Sequence, residues 1–181
     1  TETNQAAYDL SRRYSRSENH DTFVQEYEQR AGITISELTV DGLNTAKARM
    51  KLNFRKPVDS GGDFLYICPT IVPFIEKNPF TSQKRQLPVE FSYPYRYRII
   101  VSLMLPEGYT VEELPKSQRL SACNEGIACK MQLQQQGALM QCLFEFDLSR
   151  IIFPATEYTD LSAFYGFVMD MCNSRIVLKK S

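Results

Sequence analysis

Glu145 and Asp147 stand at alternate positions of one run, Leu143-Phe144-Glu145-Phe146-Asp147-Leu148, so an extended backbone places both carboxylates on one outward face. Two acids so placed are the residue types of a glycosidase pair or of metal-ligating carboxylates. They are equally the pattern of a polar strand face, and nothing else in the sequence converges on them. A nucleophilic mechanism needs a base beside its nucleophile, in most versions histidine. The chain has one histidine, His20, in the polar stretch Glu18-Asn19-His20-Asp21, where a solvated position near a helix start is expected. Its five cysteines, Cys68, Cys123, Cys129, Cys142 and Cys172, form no C-x-x-C pair. With a single imidazole the ligand set for zinc is poor, and neither metal nor cofactor is expected. Cys123 and Cys129 flank the turn-like Asn124-Glu125-Gly126-Ile127-Ala128, which fits a hairpin-closing disulfide or two buried thiols. No nucleophile elbow, P-loop, dinucleotide fingerprint or zinc-protease motif is present. No catalytic residue is expected in this chain.

Binding residues are easier to nominate. Tyr93, Tyr95 and Tyr97 form a row of phenol rings able to stack on sugars or peptide side chains. Their phase with Phe91, Ile99 and Val101 assigns them instead to a core face, unless Pro94 slips the phase and exposes a ring. Phe80 and Arg85 are further candidates in a proline-rich stretch, where Asn78 and Pro79 are expected to fix a turn and Arg85 to bond loop carbonyls.

The bulk numbers narrow the function classes. Of 181 residues, 21 are Lys or Arg and 21 Asp or Glu, so no net field draws the chain to nucleic acid or an anionic membrane. No run of about 18 apolar residues occurs, so no membrane-spanning helix is expected. Thr1 to Ala7 has neither the basic nor the apolar region of a signal peptide.

The elements that must position these residues follow from period. Tyr8, Leu10, Tyr14, Phe23 and Tyr27 have helical spacing over the first 31 residues, with Asn19 or Asp21 as a cap and Gly32 as a left-handed stop. From Ile33 the period becomes 2: Ala46, Ala48, Met50, Leu52 and Phe54 alternate with Lys47, Arg49, Lys51, Asn53 and Arg55. That basic face lacks interleaved aromatic rings, which favours a solvated strand over a nucleic-acid platform. Pro57 to Gly62 reads as a turn and Phe64 to Cys68 as a strand buried on both faces. Pro69, Pro73 and Pro79 break regular structure across 69–82. Val89 to Leu105 is one long strand signal with a bend or bulge and an edge location at Pro94, and Pro106-Glu107-Gly108 is a turn. Residues 109–122 give a short extended piece stopped by Pro115, and 129–148 a hairpin. Tyr158, Leu161, Phe164, Tyr165, Val168 and Met171 stripe a helix, and Ile176-Val177-Leu178 follows as a last strand or docked tail. The fold class is α+β: an antiparallel β-sandwich-like core with N-terminal helices and one C-terminal amphipathic helix.

Several strings occur in a telling order: Asn78-Pro79-Phe80, Arg85, Pro88-Val89-Glu90-Phe91, Leu105-Pro106-Glu107-Gly108-Tyr109-Thr110-Val111-Glu112-Glu113-Leu114-Pro115-Lys116, Glu157-Tyr158 with Leu161 and Phe164-Tyr165, and Ile176-Val177-Leu178-Lys179-Lys180. In these the chain, over about residues 32 to 181, resembles a C-terminal domain of unknown function in large exported bacterial proteins, where it follows a transglutaminase-like, papain-type core. The resemblance implies a helical link at 1–31 and a β-rich accessory domain at 32–181. It further implies the core as an intramolecular partner and a periplasmic or envelope location. That core's catalytic Cys, His and Asp motifs match no position here. The expected role is an accessory domain that packs on or presents substrate to the core. The alternatives are a carbohydrate- or peptide-binding sandwich using Tyr93 to Tyr97, and a hydrolase using Glu145 and Asp147.

Overall fold

A computed structural model describes residues 1–71, 74, 75 and 77–181, which divide into two compact units, Thr1–Pro57 and Val58–Ser181. The mixed α+β class, the antiparallel sheets and the C-terminal helix are as the sequence predicts.

The first unit runs β1 (Glu2–Thr3), α1 (Gln5–Arg16), α2 (His20–Ala31), β2 (Thr34–Asp41) and β3 (Lys47–Arg55), its strands ordered β1-β3-β2. Asn19 caps α2, its Oδ1 accepting the Thr22 backbone N–H at 2.9 Å, and Gly32 ends it at φ 61°. Ala7, Leu10, Phe23, Leu38 and Ala48 form the core, so the period change at Ile33 falls inside this unit. The β2–β3 turn depends on Gly42, whose φ is +70° and where an added Cβ would lie 2.3 Å from the Lys47 carbonyl oxygen. Gly42→Ala is therefore expected to cost the first unit about 2 kcal/mol or more, read by urea unfolding. An unchanged midpoint would contradict this turn geometry.

The second unit contains β4 (Asp59–Gly61), β5 (Phe64–Ile67), β6 (Val89–Glu90), β7 (Tyr95–Met104), β8 (Tyr109–Glu113), β9 (Gln118–Ala122), β10 (Ile127–Gln136), β11 (Leu139–Leu148), β12 (Ile152–Phe153), α3 (Tyr158–Asn173) and β13 (Ile176–Lys180). Its main sheet is ordered β7-β11-β10-β9, and a second sheet β4-β5-β13-β8. Both are antiparallel. The alternation of the expected hairpin fixes register from Ile127↔Leu148 to Gln136↔Leu139. Its apolar face, with Met131, Phe144, Phe146 and Leu148, meets the α3 stripe of Leu161, Phe164, Val168 and Met171. Farther along the same face Met140, Leu103 and Leu133 meet Leu65, Val111, Ile176 and Leu178 of the second sheet. One sheet face is thus covered twice, by a helix and by a sheet.

Four expectations need adjustment. At Pro94 the long strand is not bent but divided: β6 pairs with β12, and only from Tyr95 does the chain join the main sheet, as its edge strand β7, the edge location the sequence predicts. Residues 109–122 form two strands in different sheets, because Pro115 interrupts the ladder between them. Residues 59–61 of the supposed turn pair with β5, leaving the reversal to Gly62 at φ 57°. Strand β5 is not buried on both faces: Leu65 and Ile67 join the core while Tyr66 is 37% exposed, because the second sheet is covered on one side at this strand. Of the predicted breakers, Pro73 lies outside the described residues, while Pro69 and Pro79 lie outside regular elements.

Candidate functional site

The outer face of the main sheet collects charge. Because side chains alternate, Arg96 and Arg98 of β7, Glu145 and Asp147 of β11, Lys130 of β10 and Arg119 of β9 all point away from the core. Register then sets them in rows. Arg98 stands opposite Glu145, Glu145 opposite Lys130, and Lys130 opposite Arg119, while Arg96 stands opposite Asp147. Arg96 Nε donates to Asp147 Oδ2 at 2.8 Å, and Arg98 Nε to Glu145 Oε1 at 2.7 Å. These residues line a shallow depression of about 320 Å³. Each carboxylate is already held by a guanidinium across the ladder, so the pair is occupied in charge pairing rather than free as an acid and a base. Among the described residues, no group of three or more His, Cys, Asp or Glu is placed to hold a metal ion.

The nominated aromatic residues have gone mostly inward. Tyr95 stacks on Phe146 at 5.7 Å and shares a hydrogen bond with Tyr165; burial, above all, raises the pKa of both hydroxyls. Tyr93 meets Tyr95 edge-on at 6.2 Å. Tyr97 stacks on Phe74 at 4.8 Å, yet it is 38% exposed. The three rings therefore do not form an open platform, since Tyr95 would have to leave Phe146 to take a ligand on that face.

The loop landmarks are tied to α3. Asn78 Nδ2 donates to the Ser162 carbonyl at 2.9 Å, and Asn78 Oδ1 accepts the Phe80 N–H at 2.9 Å. Ser162 Oγ in turn donates to the Phe80 carbonyl at 2.9 Å, while the Phe80 ring packs edge-on against Tyr158 and Tyr165. Arg85 Nε donates to the Leu87 carbonyl at 3.1 Å. These contacts give the loop an anchoring role. Asn78→Ala is expected to destabilise the second unit by about 1–3 kcal/mol in urea unfolding, because the part-buried Ser162 carbonyl loses its side-chain donor and the Phe80 N–H its acceptor. A cost within experimental error would remove that anchoring role.

His20 opens α2, its Nδ1 lying 3.0 Å from the Tyr14 hydroxyl, and it is exposed. The cysteines are free. Cys123 sits in the β9–β10 turn at φ 54°, and Cys129 stands opposite Leu120, so the hairpin does not face one thiol with the other. Burial, as the leading cause, raises Cys129 to about 12 and Cys142 to about 11, and also raises Cys123 and Cys172. Both numbered values exceed the ordinary 9.0 of the unfolded chain. The stability this adds is complete below pH 9 and is lost as pH rises toward the folded values of about 11 and 12. The urea midpoint of the second unit is expected to fall between neutral pH and pH about 9.5, and less steeply in Cys129→Ala. A flat profile, or an unchanged slope in the variant, would overturn this assignment.

Residues 63–178, all within the second unit, match the model of a family described as a domain of unknown function with solved structure, DUF3858. A crystal structure from Parabacteroides distasonis, named as a "putative protease", is similar in fold with a TM-score of 0.52 and 15% sequence identity. The match covers 64% of this chain and 23% of that protein, so the chain spans under a quarter of its length. No curated protein matches the chain.

Proposed function

The chain belongs to the DUF3858 family, and from that premise we propose that it is a non-catalytic accessory domain of a larger, protease-type polypeptide. In this reading a transglutaminase-like, papain-type core lies elsewhere in the same polypeptide, and this chain packs on it or presents substrate to it. An exported, periplasmic or envelope location belongs to the same proposal.

The observation that carries the reading is the commitment of the reactive residue types to structure. Burial holds Cys129, Cys142 and Cys172 as thiols. Glu145 and Asp147 each grip an arginine, and His20 sits exposed beside Tyr14. What the second unit offers to solvent is a charged sheet face, whose pattern a partner surface can complement. The fold likeness to a protein named as a "putative protease" supports the protease association.

The test is turnover. The purified chain, offered casein and a panel of nitrophenyl glycosides, is expected to release nothing above buffer. Joined to the protease-type core, it is expected to change the core's KM or its thermal stability. Hydrolysis by the chain alone that disappears in Glu145→Gln or His20→Ala would defeat the proposal.

A further inference from the structure

On the outer face of the main sheet, four cations stand with two carboxylates. Arg96 and Arg98 are satisfied by Asp147 and Glu145. Lys130 and Arg119 have no ion pair among the described residues, although they stand directly opposite each other across β9 and β10. Opposed residues on one face have Cβ atoms about 5 Å apart, and like charges so placed repel. Glu145, on the other side of Lys130, already holds Arg98. The repulsion is relieved when a further anion enters the depression between them.

Two other observations shape that anion. Farther along β7, on the same outward face, Ile100 is 67% exposed and Met104 65% exposed. An apolar strip therefore continues from the cationic end, within reach of one extended peptide, since strands rise about 3.3 Å per residue and neighbouring strands lie about 4.8 Å apart. Arg96 and Arg98 are neutralised in place, and strands β7, β9, β10 and β11 present no aromatic ring on this face for base stacking, which sets it apart from a nucleic-acid surface.

We infer that this face docks an extended segment of a partner protein, its carboxylates seated between Lys130 and Arg119 and its apolar side chains on Ile100 and Met104. The inference rests on the interaction-domain reading and names the surface and the chemistry that reading leaves open. The Arg96–Asp147 and Arg98–Glu145 pairs hold the cationic end in shape, and the two uncompensated cations select the acid.

The probe is a fluorescein-labelled extended peptide, titrated with the chain and followed by anisotropy. In it a glutamate pair stands about four residues before the first of two leucines, and the leucines are about four residues apart with serines between, spacings set by about 3.3 Å per residue and about 4.8 Å per strand. Amide shifts of the ¹⁵N-labelled chain locate its site. Perturbations on β7, β9 and β10 are expected, with affinity about tenfold weaker in Lys130→Glu and in Arg119→Glu and weaker again at high salt. Arg119 is exposed and Lys130 half-buried on the outward face, and unchanged urea midpoints establish that the variants fold. Ile100→Ser is expected to weaken binding without changing its salt dependence. No binding, equal binding of a lysine-for-glutamate peptide, indifference to both charge reversals, or perturbation of another face overturns the inference. So does inorganic phosphate or a single-stranded oligonucleotide that binds as tightly as the peptide. If the peptide does not bind while the chain still alters the joined core, the docking inference falls and the accessory reading stands. If the chain binds the peptide and cleaves it, the accessory reading falls.

Discussion

Replacing Phe146 by alanine is expected to destabilise the second unit by about 3–5 kcal/mol, as large-to-small changes at sealed core positions do. Phe146 is 0% exposed. Its ring is approached by Phe74 at 4.7 Å, Tyr95 at 5.7 Å, Tyr165 at 5.9 Å and Phe164 at 6.2 Å. These neighbours come from a loop, an edge strand and a helix, so no single shift can close the space left behind. Phe146→Leu should cost distinctly less, because more of the volume remains. Urea unfolding followed by tyrosine fluorescence measures both, and a loss below about 1 kcal/mol for the alanine variant would contradict the packing described.

Leu178→Asp is expected to abolish cooperative folding of the second unit. Leu178 is 0% exposed on β13, an interior strand of the second sheet, where it stands opposite Leu65 on one side and Val111 on the other. An unpaired carboxylate there either stays charged in an apolar site or takes up a proton at a cost, and both exceed a few kcal/mol. Lys179→Asp is the control: its side chain lies over the Phe64 ring at 5.8 Å on the exposed side, and about 1 kcal/mol or less is at stake. Equal thermal melts for Leu178→Asp and the parent chain would overturn the assignment of β13 as an interior strand.

Local chemistry is readable without the fold where one short stretch of chain decides the outcome. The α2 boundaries follow from Asn19 and Gly32, which satisfy the helix ends from within their own segment. The β10–β11 hairpin follows from strict alternation, because a slip of one residue would drive Phe144 and Phe146 into water. The α3 stripe follows for the same reason at a period of 3.6. Period does not say which segments pair. Residues 109–113 and 118–122 look like one interrupted piece, yet they enter different sheets, and β13 becomes interior by pairing with segments far away in the chain. Tyr95 and Tyr97 share a phase but not a burial: Tyr95 lies against Phe146 and bonds Tyr165 of α3, whereas Tyr97, stacked on Phe74, stays 38% exposed.

The candidate face divides along the same line. That Arg96, Arg98, Lys130, Glu145 and Asp147 point outward is already fixed by alternation along β7, β10 and β11, a property of each strand alone. That Glu145 is spent on Arg98, Asp147 on Arg96, and Lys130 set against Arg119 is decided only by inter-strand register. The physical reason is range: alternation comes from the geometry of consecutive peptide units, whereas charge pairing across a sheet comes from residues that only the closed ladder brings together.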